Sequence, residues 1–306
     1  MQQLSVRHRT TYRYRRPVAF GEHRMMMRPR DSHDLRLLDA TLTLQPRASR
    51  VRWLHDVFGN SVAIARFDQP ADTLILESAI TIERYPFVQP DYPIEDYART
   101  LPFSYPAREV PDLGRTIERH YADPERRVTD WARRHINPVG MTQTEDFLIA
   151  ITRAIQAEFR YEARSAPGVQ SPVETLDQGS GTCRDFALFM MEAARSVGLA
   201  ARFVSGYLYD PALDAPGRKN DAASPGPTVG AGASHAWVQV YLPGAGWIEF
   251  DPTNGAHGGH NLVPIAVARE PGQALPVVGT YDGTADDLLG MEVEVSVRRL
   301  QVAPAA

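Results

Sequence analysis

The sequence predicts an α+β protein: a buried helix packed on an antiparallel sheet, with an all-β domain ahead of it. Three observations carry that prediction. An apolar pattern at helical spacing covers 183–197, directly after the flexible run Gly179-Ser180-Gly181. Two strand patterns, 235–242 and 246–250, flank the turn Pro243-Gly244-Ala245. Residues 1–86 alternate at period two between turn signals and contain no helical stretch.

A chain of 306 residues can bury a large core and has room for two domains. Its net charge of −4 gives no general attraction to nucleic acid or anionic membrane. The charge is uneven: residues 1–60 hold twelve arginines against five acids, which reads as a solvated sheet face rather than a binding patch. Cys183 is the only cysteine, which excludes an internal disulfide and a cysteine-based zinc site. No apolar run approaches the ~20 residues of a membrane span, and the N-terminus has no signal-peptide core. The expectation is a soluble cytoplasmic protein without metal or cofactor, binding neither nucleic acid nor membrane. The pattern carries no signal for oligomeric state.

Taken in order, Leu4, Val6, His8, Thr10, Tyr12 and Tyr14 share one face of a first strand, which Pro17 ends. Further strands are expected at 40–44, 51–54, 61–67 and 73–85, with turn chemistry at Gly59-Asn60. The β domain is thus 1–86. Residues 87–140 read as a proline-rich connector and helices, with Asp123-Pro124-Glu125 as a helix start. A core domain is expected over 141–306. In it, Thr142-x-x-Glu145 is a capping-box pattern, and Leu148, Ile151, Ile155 and Phe159 form an apolar stripe that ends near Tyr161. The helix from Cys183 is apolar on most faces and stops at Gly198, so it sits deep and only its first turn can reach a cleft. A strand follows at 201–209. Residues 211–234 read as a mobile loop, disordered in the free protein rather than a lid, and 291–300 as a last strand.

A cysteine nucleophile needs a base, a group that orients the base, and an oxyanion hole. At a helix N-terminus the partial positive charge favours thiolate over thiol, and backbone N–H groups point at whatever binds in front. A lone cysteine is by itself more often a small buried apolar residue. Among nine histidines, His235 stands out because it opens a strand directly after the loop. Asp251 closes the next strand, just before Pro252. Turn parity decides whether the two meet. An even turn puts them on opposite faces. The three-residue turn 243–245 pairs Leu242 with Gly246, sets Trp237 across from Asp251, and makes His235 and Asp251 diagonal neighbours on one face. An odd turn or a bulge is therefore predicted.

These residues carry a resemblance. Gly181-x-Cys183-Arg184-Asp185-Phe186-Ala187 resembles the nucleophile motif of the transglutaminase-like superfamily. Ala201-Arg202-Phe203-Val204-Ser205-Gly206-Tyr207 is similar to the strand that follows it. Ser234-His235-Ala236-Trp237 resembles the histidine strand, and Trp247-Ile248-Glu249-Phe250-Asp251-Pro252-Thr253-Asn254 the aspartate strand, all in the family's order. Residues His8, Thr10, Tyr12, Tyr14, Met27-Arg28-Pro29-Arg30 and Asp56-x-Phe58-Gly59-Asn60 resemble the β domain that precedes this core in a bacterial branch.

The resemblance implies a papain/transglutaminase-like core with Cys183 as nucleophile, His235 as general base and acid, and Asp251 as its orienting partner. The implied chemistry is attack on amide bonds of a protein or peptide substrate through a thioester, resolved by water or by an amine. Hydrolysis is the default, because water is always present. The N–H of Cys183 is the natural first oxyanion donor. Tyr161 and Gln170 are candidates for the second, and Arg184 and Trp237 are candidates to face substrate. Asp185 lies near the cleft or caps the helix. His257 and His260 sit in a flexible loop with no third ligand, so no metal site is expected, and no calcium loop is present. The alternative is a non-catalytic peptide- or protein-binding module on the same fold.

Overall fold

A computed structural model describes residues 2–85, 93–164, 168–214 and 228–300. The centre of the 211–234 loop, and with it most of the disorder-or-lid question, lies outside the described residues.

Period-two alternation builds the N-terminal strands and runs further than expected. β1 (Gln2–Phe20) continues through Pro17. Proline is tolerated there because it falls where the ladder lapses, between the pairs Arg13↔Thr73 and Val18↔Ala71, so no inter-strand N–H is missing. β2 (His23–Arg28), β3 (Leu35–Gln45), β4 (Arg50–His55), β5 (Ser61–Arg66) and β6 (Ala71–Arg84) complete the region. One sheet runs β1–β6–β3 and the other β2–β5–β4. They close on Tyr14, Val18, Phe20, Met25, Ala63, Ala65, Leu74 and Leu76. The arginine-rich outer face is largely ion-paired: Arg7 and Arg9 to Glu77, Arg13 to Glu292, Arg16 to Asp287 and Arg66 to Glu22.

After a single helical turn at Val110–Leu113, the described residues form four longer helices: α1 (Arg127–Arg133), α2 (Thr144–Glu158), α3 (Pro172–Gln178) and α4 (Cys183–Ser196). α1 begins later than Asp123-Pro124-Glu125. Arg126 is left-handed (φ 58°), and the Asp123 carboxylate accepts the Arg127 N–H at 2.7 Å from outside the helix. Thr142 does not cap α2. Gln143 precedes the first turn, and Thr142 Oγ1 accepts the Asn137 N–H at 2.8 Å instead. α4 is buried along its length, and Gly198 beyond it takes φ +89°, the left-handed stop expected there.

α4 lies on an antiparallel sheet ordered β9–β8–β7–β10, from β7 (Ala201–Leu208), β8 (Ser234–Leu242), β9 (Gly246–Asp251) and β10 (Leu262–Ala268). Alternation splits this sheet, with a register shift against β10 between Ser205 and Gly206 that turns the end of β7 over. Ala201, Phe203, Ala236, Val238, Val240 and Phe250 join the core with α4. Tyr207, Val263 and Ile265 pack the other way, against Leu4, Val6, Ile80 and Ile82 of the N-terminal sheet. The sheet is thus a middle layer. Two polar contacts pin it: His8 Nδ1 to the Tyr207 hydroxyl at 2.8 Å, and the Asn60 amide, which gives to Val267 O at 2.7 Å and accepts from Val267 N at 2.9 Å. No helix among the described residues is long and apolar enough to cross a membrane.

The C-terminal strand corrects the expected 141–306 domain. β11 (Leu288–Arg299) pairs with β1 from Leu4 to Tyr14, and Tyr281–Asp282 and Val277–Val278 join β1 and β2. The last segment therefore completes the N-terminal sandwich. Its alternation showed a strand, but a strand's partner is a long-range choice that its own pattern does not encode.

Candidate active site

Cys183 is the first residue of α4, 7% exposed. The helix start is held by a capping box. Thr182 Oγ1 accepts the Asp185 N–H at 3.4 Å, and Asp185 Oδ2 accepts the Thr182 N–H at 2.8 Å. The other oxygen of Asp185 accepts from Gln170 N at 2.7 Å and Arg164 Nη2 at 3.1 Å. Asp185 is fully buried and ties the preceding loop to the helix, so it is the cap and not a cleft residue. Gly181 is required by this crowding: a Cβ there would lie 2.9 Å from the Asp185 Cβ.

The hairpin has the predicted register. Leu242 pairs with Gly246 and Val238 with Phe250, which places Asp251 opposite Trp237. His235 Nε2 lies 2.8 Å from Asp251 Oδ2, with both side chains buried. The second oxygen, Oδ1, accepts the Thr253 N–H at 3.0 Å and the Asn254 N–H at 3.3 Å. Asp251 is thus saturated with donors and cannot turn away.

The imidazole's other edge lies near Cys183. Burial opposes charge on His235, but the Asp251 carboxylate and the adjoining Cys183 outweigh it and raise its pKa well above the ordinary imidazole range. For Asp251 burial also opposes charge, and His235, Asn254 and Thr253 hold its pKa below the usual carboxylate range. Nδ1 has no fully formed hydrogen bond, so the thiol stands beside the ring rather than locked to it. Such a contact commonly tightens only when substrate arrives.

Trp237 fixes the plane of the ring. Its indole is fully buried and stacks on the imidazole at 6.0 Å and 27°. Gly206 makes room for it, since a Cβ there would sit 2.7 Å from the indole and 2.1 Å from Val263 O. This corrects the expectation that Trp237 faces substrate. Two further candidates are also redirected. Arg184 gives Nη2 to Pro271 O at 2.8 Å and lies over Phe203, so it braces the back of the helix. The Gln170 amide gives to Gln178 at 2.6 Å and accepts from Thr175 at 3.3 Å, so it faces α3. Tyr161 remains. It is 38% exposed, pairs in parallel with Gly181, and its phenol pKa is pushed up to about 12 by burial, then by the adjoining Cys183 and Asp185.

Sequence reasoning assigned no role to Asn254 or Gly230. Asn254 Nδ2 gives to Asp251 Oδ2 at 2.8 Å and to Val229 O at 3.1 Å, while its Oδ1 accepts the Val229 N–H at 3.0 Å. That grip holds Gly230 against the imidazole, where a Cβ would fall 2.6 Å from His235 Nδ1. The run Asp251-Pro252-Thr253-Asn254 was the available signal. Its meaning depended on where residue 229 lies in space.

Fold and geometry agree with the comparisons. Residues 4–83 match the bacterial transglutaminase-like N-terminal region, and residues 123–252 match the transglutaminase-like superfamily. The chain thus carries a transglutaminase-like core behind a bacterial transglutaminase-like N-terminal region. An uncharacterized protein of Mycobacterium tuberculosis, Rv2569c, is 26% identical over 297 residues, 95% of this chain and 91% of its own. Mycobacterium leprae ML0607, also uncharacterized, is 32% identical over 149 residues, 49% of each chain. A Cytophaga hutchinsonii structure, provisionally named a cysteine protease, superposes with TM-score 0.68 at 18% identity, covering 99% of this chain and 93% of that one.

Proposed function

We propose that the protein is a cysteine enzyme that cleaves amide bonds of proteins or peptides through a thioester on Cys183. The observation that carries this is the buried His235–Asp251 contact of 2.8 Å with the imidazole's free edge beside the only cysteine. A binding module has no use for a buried carboxylate that raises the basicity of a histidine next to a thiol.

In this scheme His235 holds the thiol proton as imidazolium, stabilised by Asp251. Cys183 Sγ attacks the substrate carbonyl carbon. The oxygen becomes an oxyanion that accepts from the Cys183 N–H and the Tyr161 hydroxyl. As the C–N bond breaks, His235 gives its proton to the leaving amine or ammonia. Water, deprotonated by the now neutral His235, then attacks the thioester carbonyl, and the thiolate leaves. An amine in place of water gives acyl transfer by the same steps. The provisional cysteine-protease name of the Cytophaga structure is in keeping with this reading.

The test is mass spectrometry of a peptide library incubated with wild type and with Cys183→Ala. Glutamine deamidation appears as a one-dalton gain, backbone cleavage as new termini. Either, present only with wild type and accompanied by an acyl adduct on Cys183, supports the proposal. A folded wild-type protein that binds peptides without converting any supports the binding module.

A further inference from the structure

The middle sheet carries a second polar constellation on the face turned away from α4. There the N-terminal domain and the sheet line an open cleft of about 790 Å³, inside the size range of ligand pockets. Its wall includes Arg202, Gln239 and Glu249, neighbours across β7, β8 and β9, with Trp247 beside them and Phe58 opposite.

Arg202 is the unusual member. Its guanidinium stacks on Trp247 at 4.1 Å, and its Nε gives to Gln239 Oε1 at 2.7 Å. Gln239 in turn gives Nε2 to Glu249 Oε1 at 3.1 Å. The amide therefore spaces the cation from the acid, and among the described residues Arg202 forms no ion pair. Burial pulls its pKa down to about 10, with Glu249 opposing only weakly. The other acids of the wall are engaged elsewhere. Asp34 accepts from Ser32 at 2.6 Å and pairs with Arg84 at 3.6 Å, and Asp31 accepts the Leu37 N–H at 2.5 Å. A desolvated guanidinium held rigid on an indole, its terminal nitrogens left over, is a planar fork suited to a carboxylate. The aromatic surfaces of Trp247 and Phe58 favour an organic anion over a bare ion.

We propose that this cleft binds a carboxylate-bearing ligand of short-peptide size, with Arg202 gripping the carboxylate and Trp247 and Phe58 covering its apolar part. Binding here does not depend on the chemistry at Cys183, so it is measured in full-length Cys183→Ala protein.

Calorimetry is run with the tripeptide Ala-Phe-Ala as free acid and as C-terminal amide, with benzoate as a non-peptide acid and inorganic phosphate as an ion control. The free acid is expected to bind and the amide to bind at least about tenfold more weakly, the loss of one charge-assisted pair. Arg202→Gln in the same background, folded by circular dichroism, is expected to erase the acid preference. Arg202→Lys keeps the charge without the fork and retains a reduced preference, which guards against misfolding of the glutamine variant. Benzoate binding without tripeptide binding overturns the short-peptide size of the ligand. Equal binding of acid and amide, no binding of any acid, phosphate competing as well as the acids, or a folded Arg202→Gln that keeps the preference each overturns the proposal.

Discussion

Asn254 and His235 share one oxygen of Asp251: Nδ2 of the first and Nε2 of the second both lie 2.8 Å from Oδ2. The same Asn254 amide grips both backbone groups of Val229. One side chain thus sets the direction of the carboxylate and the position of the segment against the imidazole. Asn254→Ala is expected to lower kcat by about ten- to a hundredfold, the cost of a loosened orienting partner, with KM moving less. Asn254→Asp is expected to be worse, since it sets a second carboxylate against Asp251. Steady-state rates on a converted peptide check this, and an unchanged kcat in Asn254→Ala removes the positioning role.

On the proposed mechanism, the state of His235 sets the reactivity of the thiol. Its raised pKa keeps the ring cationic through neutral pH, so wild-type Cys183 is expected to alkylate with iodoacetamide rapidly even at pH 6. His235→Ala removes the group that takes the thiol proton, and the alkylation rate at pH 6 is expected to fall by about two orders of magnitude. The linkage has a matching sign. The His235 contribution to stability is fully present below its unfolded value of about 6.5 and is lost as pH rises through the raised folded value. An alkylation profile with no difference between the two proteins argues for an isolated thiol.

Tyr161 separates transition-state stabilisation from thiol activation. Tyr161→Phe removes a hydroxyl and keeps the ring's edge contact with Phe186. Turnover is expected to fall by about a hundredfold or more, as for loss of one oxyanion donor, while the alkylation rate of Cys183 stays near wild type. A loss of both together indicates that the residue supports the helix start instead.

His8 joins the two layers through Tyr207 and is 2% exposed. Burial lowers its pKa from 6.5 to about 4. The unfolded chain therefore binds a proton that the folded one refuses, and stability rises with pH between those values. The span is on the order of 3 kcal/mol for one such proton. His8→Gln is expected to flatten urea-unfolding stability over that window, with the buried His23 leaving a residual slope. A variant with the wild-type slope assigns the pH dependence to other groups.

How much was legible follows from the range of each interaction. Turn parity is local: the requirement that His235 and Asp251 share a face called for an odd turn or a bulge, and the observed pair Leu242↔Gly246 is the odd turn. Alternation is also local, and it marked most strands. It failed at β2 because Met25, Met26 and Met27 are all buried: Met25 faces the sandwich core and Met26 the main core, so no polar face interrupts the run. β10 failed likewise, as a continuous apolar stretch read without period.

Direction of side chains across the cleft was not legible. Arg184 and Trp237 sit within two residues of Cys183 and His235 in sequence and Gln170 lies in the segment before the helix, yet one braces a neighbouring turn, one underlies the imidazole and one faces α3. Helix and strand phase place a residue on a face; what covers that face is decided by distant segments.

The sequence by itself determined the thiol at a helix start, the histidine and aspartate on one strand face, and a β-rich region ahead of them, because each rests on periodicity or turn length within a short window. Only the tertiary structure decided that the last strand returns to the first, that Asn254 locks the carboxylate, and that a cleft with a desolvated arginine lies behind the sheet. Those depend on contacts between residues far apart in the chain, whose pairing is fixed by packing of the whole molecule.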